Sequence, residues 1–214
     1  MKTRDRILSA ARRMFNALGY GNVTTAALAA EIGISEGNLW YHFRTKRDLL
    51  EAISEDYLAV IEARLSLHPS AGEDVISGYA RLLAALLAEI GDYAFLYRDQ
   101  ADYGEHGRAV SGRITDLYTR TQAQLTKHHA AMVDAGHLDW PYDQLDDLGI
   151  NATIILRFGQ EYFRETEPSG RTDADCARRT IERHLTLFED RLTPAARYRL
   201  RHALAAGSDL PSAA

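Results

Sequence analysis

The sequence predicts an all-α chain: an N-terminal three-helix, helix-turn-helix headpiece joined by a long helix to a helical body. Three observations predict it. Apolar residues recur at three-to-four spacing through nearly every segment, with no strand-like alternation, internal repeat or low-complexity block. Glycines, prolines and capping residues divide the chain into helical lengths. The stretch Thr24 to Leu50, TTAALAAEIGISEGNLWYHFRTKRDLL, reads as helix, tight turn, helix and the capped start of a third.

The first helix spans Thr3 to Leu18. Its Ile7, Leu8, Ala11, Phe15 and Leu18 keep the helical period and should face the helix-turn-helix, and Gly19 and Gly21 end it. The second runs from Val23 to Ile32, with Leu28 and Ile32 on one face. Gly33 can adopt the left-handed backbone that closes a helix. Ser35 is a good N-cap for Glu36 to Phe43, whose Leu39 and Phe43 point inward. Thr45 and Asp48 fit a capping box for a fourth helix ending near Leu65. At 1.5 Å per residue it is a rod of roughly 30 Å. HPSAGED, His68 to Asp74, is the clearest loop.

The body continues in helices. Val75 to Ile90 carries a wide apolar stripe, Gly91 breaks it, and Asp92 can cap a short piece beyond. Arg108 to Ala135 ends at Gly136. LDWPYD, Leu138 to Asp143, is a turn before Leu145 to Glu165. Pro168-Ser169-Gly170 breaks the chain again, and Thr172 with Asp175 fits a capping box for a helix to about Leu192. Thr193-Pro194 suits the start of the last helix. The expected division is 1–48 headpiece, 49–206 body and 207–214 a frayed tail.

Charge and composition limit the function. The net charge is −5, but residues 1–48 hold eight Lys/Arg against four Asp/Glu, while the remainder holds 17 against 26. A headpiece of +4 on a body of −9 can bind phosphate at one end only. No apolar run approaches the roughly 18–20 residues of a membrane span. The charged N-terminus has no separate apolar segment, so no signal peptide is expected. One cysteine, Cys176, excludes an intrachain disulfide framework and fits a reducing cytoplasm.

A helix-turn-helix places its second helix in the DNA major groove. Here the inward Leu39 and Phe43 leave Gly37, Asn38, Tyr41 and His42 on the outer face, with Arg44, Lys46 and Arg47 beside it. Small, amide, phenol and imidazole groups can approach a polyanion closely. The alternative on spacing alone is a plain helical hairpin with a basic rim. The words decide further. GISEGNLWYHFRTKRDLL, with TTAALAAEIG before it and ARRMFNALGY upstream, closely resembles the DNA-binding headpiece of the TetR (tetracycline-repressor-like) family. The resemblance covers about 50 residues.

That resemblance implies roles. Thr25, Tyr41, His42 and Lys46 match positions that hold the phosphate backbone. Glu36, Gly37 and Asn38 match positions near base edges, and Trp40 the groove wall or headpiece core. Ser35 caps the same helix and counts with them. Glu36 departs from the basic or neutral residue of many relatives. A carboxylate there is repelled by phosphate unless it accepts from a cytosine amino group or pairs with a neighbour.

The resemblance also implies that the body is a ligand-binding and dimerisation domain. Tyr79, Phe95, Tyr103, Tyr118, Phe158 and Tyr162 would surround a cavity for an unidentified, partly apolar small molecule; core packing is the alternative for each. Leu148, Ala152, Ile155 and Gly159, with Ile181, Leu185 and Phe188, would form a homodimer interface of two helices per subunit; the alternative is that they serve the intrachain core. No cofactor or metal is expected, and catalysis is not: His128 and His129 are adjacent rather than one turn apart, and no phosphate loop or nucleophile elbow occurs. The expected function is a dimeric, ligand-responsive transcriptional regulator of double-stranded DNA, a repressor released from a palindromic operator by a small molecule, although the sequence itself does not separate repression from activation. The alternative is a helical ligand-binding or protein-interaction module that has lost operator binding.

Overall fold

The computed structural model describes residues 2–69, 72, 74–99, 102, 107–166 and 173–207. Regular structure among them is helical, apart from one antiparallel β-bridge between Leu138 and Leu192. None of the described helices is long and apolar enough to cross a membrane. The chain forms two compact units: residues 1–62 with 92–115, and residues 63–91 with 116–214. The first unit thus includes the expected headpiece, most of the fourth helix and a later segment.

In the first unit, α1 (Thr3–Leu18) buries Ile7, Leu8, Ala10, Ala11 and Phe15. Leu18, expected inward, is 55% exposed, because α1 ends there and Gly19, at φ +86°, turns the chain away. Helices α2 (Thr25–Glu31) and α3 (Glu36–His42) follow, and Gly33 between them has the expected positive φ of 70°. The capping box of α4 (Lys46–Leu65) forms reciprocally: Thr45 N donates to Asp48 Oδ2 at 3.0 Å, and Asp48 N to Thr45 Oγ1 at 3.1 Å. Leu49, Leu50, Ile53 and Tyr57 complete the core.

The short α6 (Ala94–Arg98) closes this unit by a device with no local sequence signal. Gly91 does not break α5 (Val75–Asp92), and Asp92 does not cap α6. Asn16 of α1 does so instead: its side chain accepts from Phe95 N at 3.1 Å and donates to Asp92 O at 2.8 Å. Arg98 returns the favour, donating to Phe15 O and Asn16 O, carbonyls of the last turn of α1. Such carbonyls lack intrahelical donors, so a guanidinium suits them. Phe15 and Phe95 pack with ring centroids 5.2 Å apart.

The second unit holds most of α5, α7 (Gly107–Asp134) from Asp116 on, α8 (Leu145–Thr166), α9 (Asp173–Leu185) and α10 (Pro194–Gly207). Its core joins Ile76, Leu82, Leu83, Leu125, Met132, Leu148, Leu156, Phe188 and Leu200. Two glycines set the depth of α8. A Cβ on Gly149 would lie 2.3 Å from Thr126 Oγ1, and one on Gly159 would lie 2.7 Å from Thr180 Cγ2. Helix α9 stops at Leu185 rather than near 192, because Phe188 turns into the core and a short 3₁₀ turn follows. The Thr172 cap, the Pro168-Ser169-Gly170 break and the tail from 208 lie outside the described residues.

Candidate nucleic-acid interface

Helix α3 has seven residues and buries only one of them, Leu39. Leu39 and the following Phe43, 4% exposed, anchor it to the headpiece core. Its start is fixed by Ser35, whose hydroxyl accepts from Asn38 N at 3.2 Å; Thr24 caps α2 in the same way through Ala27 N at 3.1 Å. Each such cap is worth about 1 kcal/mol. With its inner face spent on anchoring, α3 turns Glu36, Gly37, Asn38, Trp40 and Tyr41 outward. Tyr41 is 84% exposed and meets His42 edge to face, centroids 5.3 Å apart. A Cβ on Gly37 would meet only Ser35 Oγ, at 3.9 Å, so nothing inside the chain requires that glycine.

Two of the side chains expected to hold phosphate make hydrogen bonds within the headpiece. The Thr25 hydroxyl donates to Glu36 Oε1 at 3.3 Å, and none of the ion pairs among the described residues includes Glu36. Lys46 folds back: its ammonium donates to the Tyr20 carbonyl and lies 4.2 Å from the centre of the Tyr20 ring. Burial lowers its pKa, and the nearby Asp102 carboxylate works against that shift. Tyr20 is held at its other end too, its N–H donating to Asp99 Oδ2 at 2.7 Å. Among the neighbouring cations, Arg47 pairs with Glu51 at 2.8 Å, and Arg44 is exposed.

The second unit contains two buried polar clusters. In one, Arg64 donates from Nε to Glu89 at 2.6 Å, from Nη1 to Gln124 at 2.7 Å and from Nη2 to Thr121 at 2.9 Å. Burial raises the Glu89 carboxyl's pKa, and the Arg64 guanidinium pulls it back. In the other, the Tyr79 hydroxyl meets His129 Nε2 at 2.8 Å and His184 Nε2 at 2.6 Å, with Phe188 against all three rings. Burial pushes His184 down to about 3 and His129 well below the ordinary histidine range. Their Nδ1 atoms are buried without a protein partner. On α8 the opposite situation holds: Ile150, Ile154, Phe158 and Tyr162, each four residues apart, are 42–60% exposed.

Residues 7–53 match the model of bacterial regulatory proteins of the tetR family, and residues 56–200 match TetR, a bacterial transcriptional repressor model. The chain belongs to the TetR family. Among relatives, the nucleoid occlusion factor SlmA of Idiomarina loihiensis is 29% identical over 125 residues, 57% of this chain and 63% of that protein. The match thus spans about 63% of the length of the SlmA relatives. The class A tetracycline repressor from transposon 1721 of Escherichia coli is 40% identical over 53 residues, 25% of this chain and 24% of that one. A TetR-family transcriptional regulator from Marinobacter aquaeolei VT8 has the same fold, with TM-score 0.79, 25% identity, and coverage of 97% of this chain and 99% of that one. The two family models together cover both the headpiece and the helical body.

Within this TetR-family body, several expected residues fall elsewhere. Phe95 belongs to the first unit, sealed against Phe15. Phe158 and Tyr162 point out of α8 rather than into a cavity, and Tyr103 lies outside the described residues. Tyr79 is fully buried, and Tyr118, half-buried, accepts from Arg157 Nε at 2.7 Å. Of the residues expected at a dimer interface, Leu148, Ala152, Leu185 and Phe188 are core of their own chain, while Ile155, Gly159 and Ile181 are half-buried. Gly159 makes a close helix approach, but to Thr180 of the same chain. Sequence reasoning missed His129 and His184, whose pairing through Tyr79 spans 50 and 105 residues.

Proposed function

We propose that this protein is a dimeric repressor released from a palindromic operator when a small molecule binds its helical body. The observation that carries the DNA-binding half is the outer face of α3: it keeps one buried residue and leaves an amide, a phenol and a bare glycine backbone unused by the fold. Asn38 reads a base edge, Gly37 allows close approach, and Tyr41, His42 and Arg44 meet phosphates. Lys46 has protons beyond the one given to Tyr20 and reaches phosphate from the start of α4.

The second copy docks on α8. Ile150, Ile154, Phe158 and Tyr162 form one continuous apolar stripe, and an isologous interface needs such a self-complementary patch. The small molecule is proposed to engage the second unit beside Tyr79, where two buried imidazole nitrogens have no protein partner. It acts by binding more tightly to a dimer state whose headpieces no longer match the half-site spacing.

Selection of binding sites from random duplex DNA by the full chain, at two salt concentrations, tests this reading. A two-fold symmetric motif with affinity that falls steeply with salt is the expected result. Failure to enrich a motif with the dimer intact overturns it, and favours a helical module that has lost operator binding.

A further inference from the structure

We propose that Thr25 and Glu36 form one base-reading unit, in which the Thr25 hydroxyl holds one oxygen of the Glu36 carboxylate and the other accepts from the exocyclic amino group of an operator cytosine. This rests on the DNA-binding reading above. Glu36 is the first residue of α3, beside its N-cap Ser35, and is exposed. The N-terminal residues of a recognition helix are those that meet base edges. A carboxylate brought there has only acceptors to offer. Guanine shows two acceptors in the major groove and thymine shows one with a methyl group. Adenine's amino group is flanked by the N7 acceptor, while cytosine's stands without one. Cytosine is therefore the base a carboxylate accepts best. Every sequence pays the repulsion between Glu36 and nearby phosphates, but only one with the amino group in place offsets it.

The 3.3 Å bond from Thr25 gives this carboxylate a fixed direction and changes the role of Thr25. A hydroxyl has one proton. Donated to Glu36, it is not available to a phosphate oxygen, which is itself an acceptor. Thr25 is thus a positioning residue for base readout, and its side chain does not clamp phosphate.

Site selection by the full-length protein and by its Glu36→Gln, Glu36→Ala and Thr25→Val variants tests the unit, with affinities for selected and random duplexes measured alongside. The wild type should select cytosine at one symmetric position of each half-site, by roughly five-fold or more over the other bases. Glu36→Gln should move that position to adenine, whose N6 and N7 an amide can pair with, and Glu36→Ala should flatten it. Thr25→Val should weaken the cytosine preference at the same position while changing affinity for random DNA less than about two-fold. An identical motif in all four proteins overturns the proposal, as does a Thr25→Val protein that keeps the motif and weakens on every sequence alike. If the wild type itself selects no symmetric motif, the DNA-binding reading fails first and takes this one with it. A wild-type motif that ignores the substitutions leaves DNA binding standing and sinks only the base-reading unit.

Discussion

Lowering the pH from 8 to 5 should loosen the second unit, and the magnitude follows from two buried histidines. An unfolded histidine titrates near 6.5. In the fold, burial pushes His184 down to about 3 and His129 well below its ordinary value. Through the weakly acidic range both stay neutral in the native state while the unfolded chain takes up protons. The stability tied to the neutral rings is therefore whole above pH 6.5 and is lost as the pH falls toward 3. Each pH unit below 6.5 costs about 1.4 kcal/mol per group, so His184 contributes a loss of about 2 kcal/mol at pH 5. His129, shifted the same way, adds to that loss. With a urea m-value of about 2 kcal/mol/M, the His184 contribution alone should lower the midpoint by about 1 M. In a Trp40→Phe background, Trp140 is the one remaining tryptophan of the sequence and reports the second unit by its fluorescence. His184→Gln should have a lower midpoint at both pH values, because the Tyr79 hydroxyl loses a partner, but a smaller difference between them than the wild type. A pH-dependent midpoint loss as large in His184→Gln as in the parent would refute the assignment.

Other predictions follow from single contacts. Arg64→Met leaves the Glu89 carboxyl buried without its cation and should cost about 3–5 kcal/mol in urea unfolding, with much of it recovered in the Arg64→Met/Glu89→Met double variant; an additive double variant would mean the pair does not interact. Phe158→Asp places a charge in the proposed dimer stripe and should give a monomer of unchanged helicity in analytical ultracentrifugation, and a dimer of wild-type affinity would move the interface elsewhere. Lys46→Met removes the bond to the Tyr20 carbonyl as well as a phosphate donor. It should therefore lower headpiece stability by about 1 kcal/mol without DNA, below the usual range for a hydrogen bond to a charged group because this one is part-exposed, and also reduce the salt slope of DNA binding by about one. An unchanged denaturation midpoint would deny Lys46 its structural role.

The headpiece was legible in the sequence because its signals are local. Ser35 and the Thr45–Asp48 pair satisfy backbone donors within three residues, and Gly33 closes α2 with a backbone geometry that glycine favours, whereas the Thr24 cap starts α2 later than the expected Val23. The faces of the body were not legible, for a physical reason visible on α8. Apolar residues occupy two sides of it: Leu148, Ala152 and Leu156 inside, Ile150, Ile154 and Phe158 outside. Periodicity gives a helix an apolar side, but it does not distinguish burial within the chain from burial against a second copy. The tie between α1 and α6 was hidden for another reason. Asn16 and Arg98 bond across 76 to 83 residues through backbone groups, and no pattern of side-chain types encodes where a remote carbonyl will lie.

The two buried polar clusters of the second unit differ in how fully their polar atoms are bonded. The Arg64 cluster is closed: each guanidinium nitrogen has an acceptor, and Gln124 turns its amide to the carbonyls of Arg64 and Leu67, both at 2.8 Å. Opening it exposes a buried charge, so it holds the end of α4 to α5 and α7 as one piece. The Tyr79 cluster is open. One hydroxyl serves two neutral imidazoles only by donating to one and accepting from the other, so the rings are opposite tautomers. One unpaired Nδ1 then carries a proton and the other a lone pair. Leaving such a group unmade inside a protein costs about 1–3 kcal/mol. A molecule presenting an acceptor to one ring and a donor to the other recovers that cost on binding. The recovered amount bounds how strongly these contacts can bias one state over another, at about tenfold for each 1.4 kcal/mol. Tyr79→Phe removes the bridge and leaves both Nε2 atoms without it, so the preference between the two states should shift even without ligand, and an unchanged DNA affinity in that variant would separate this cluster from the response.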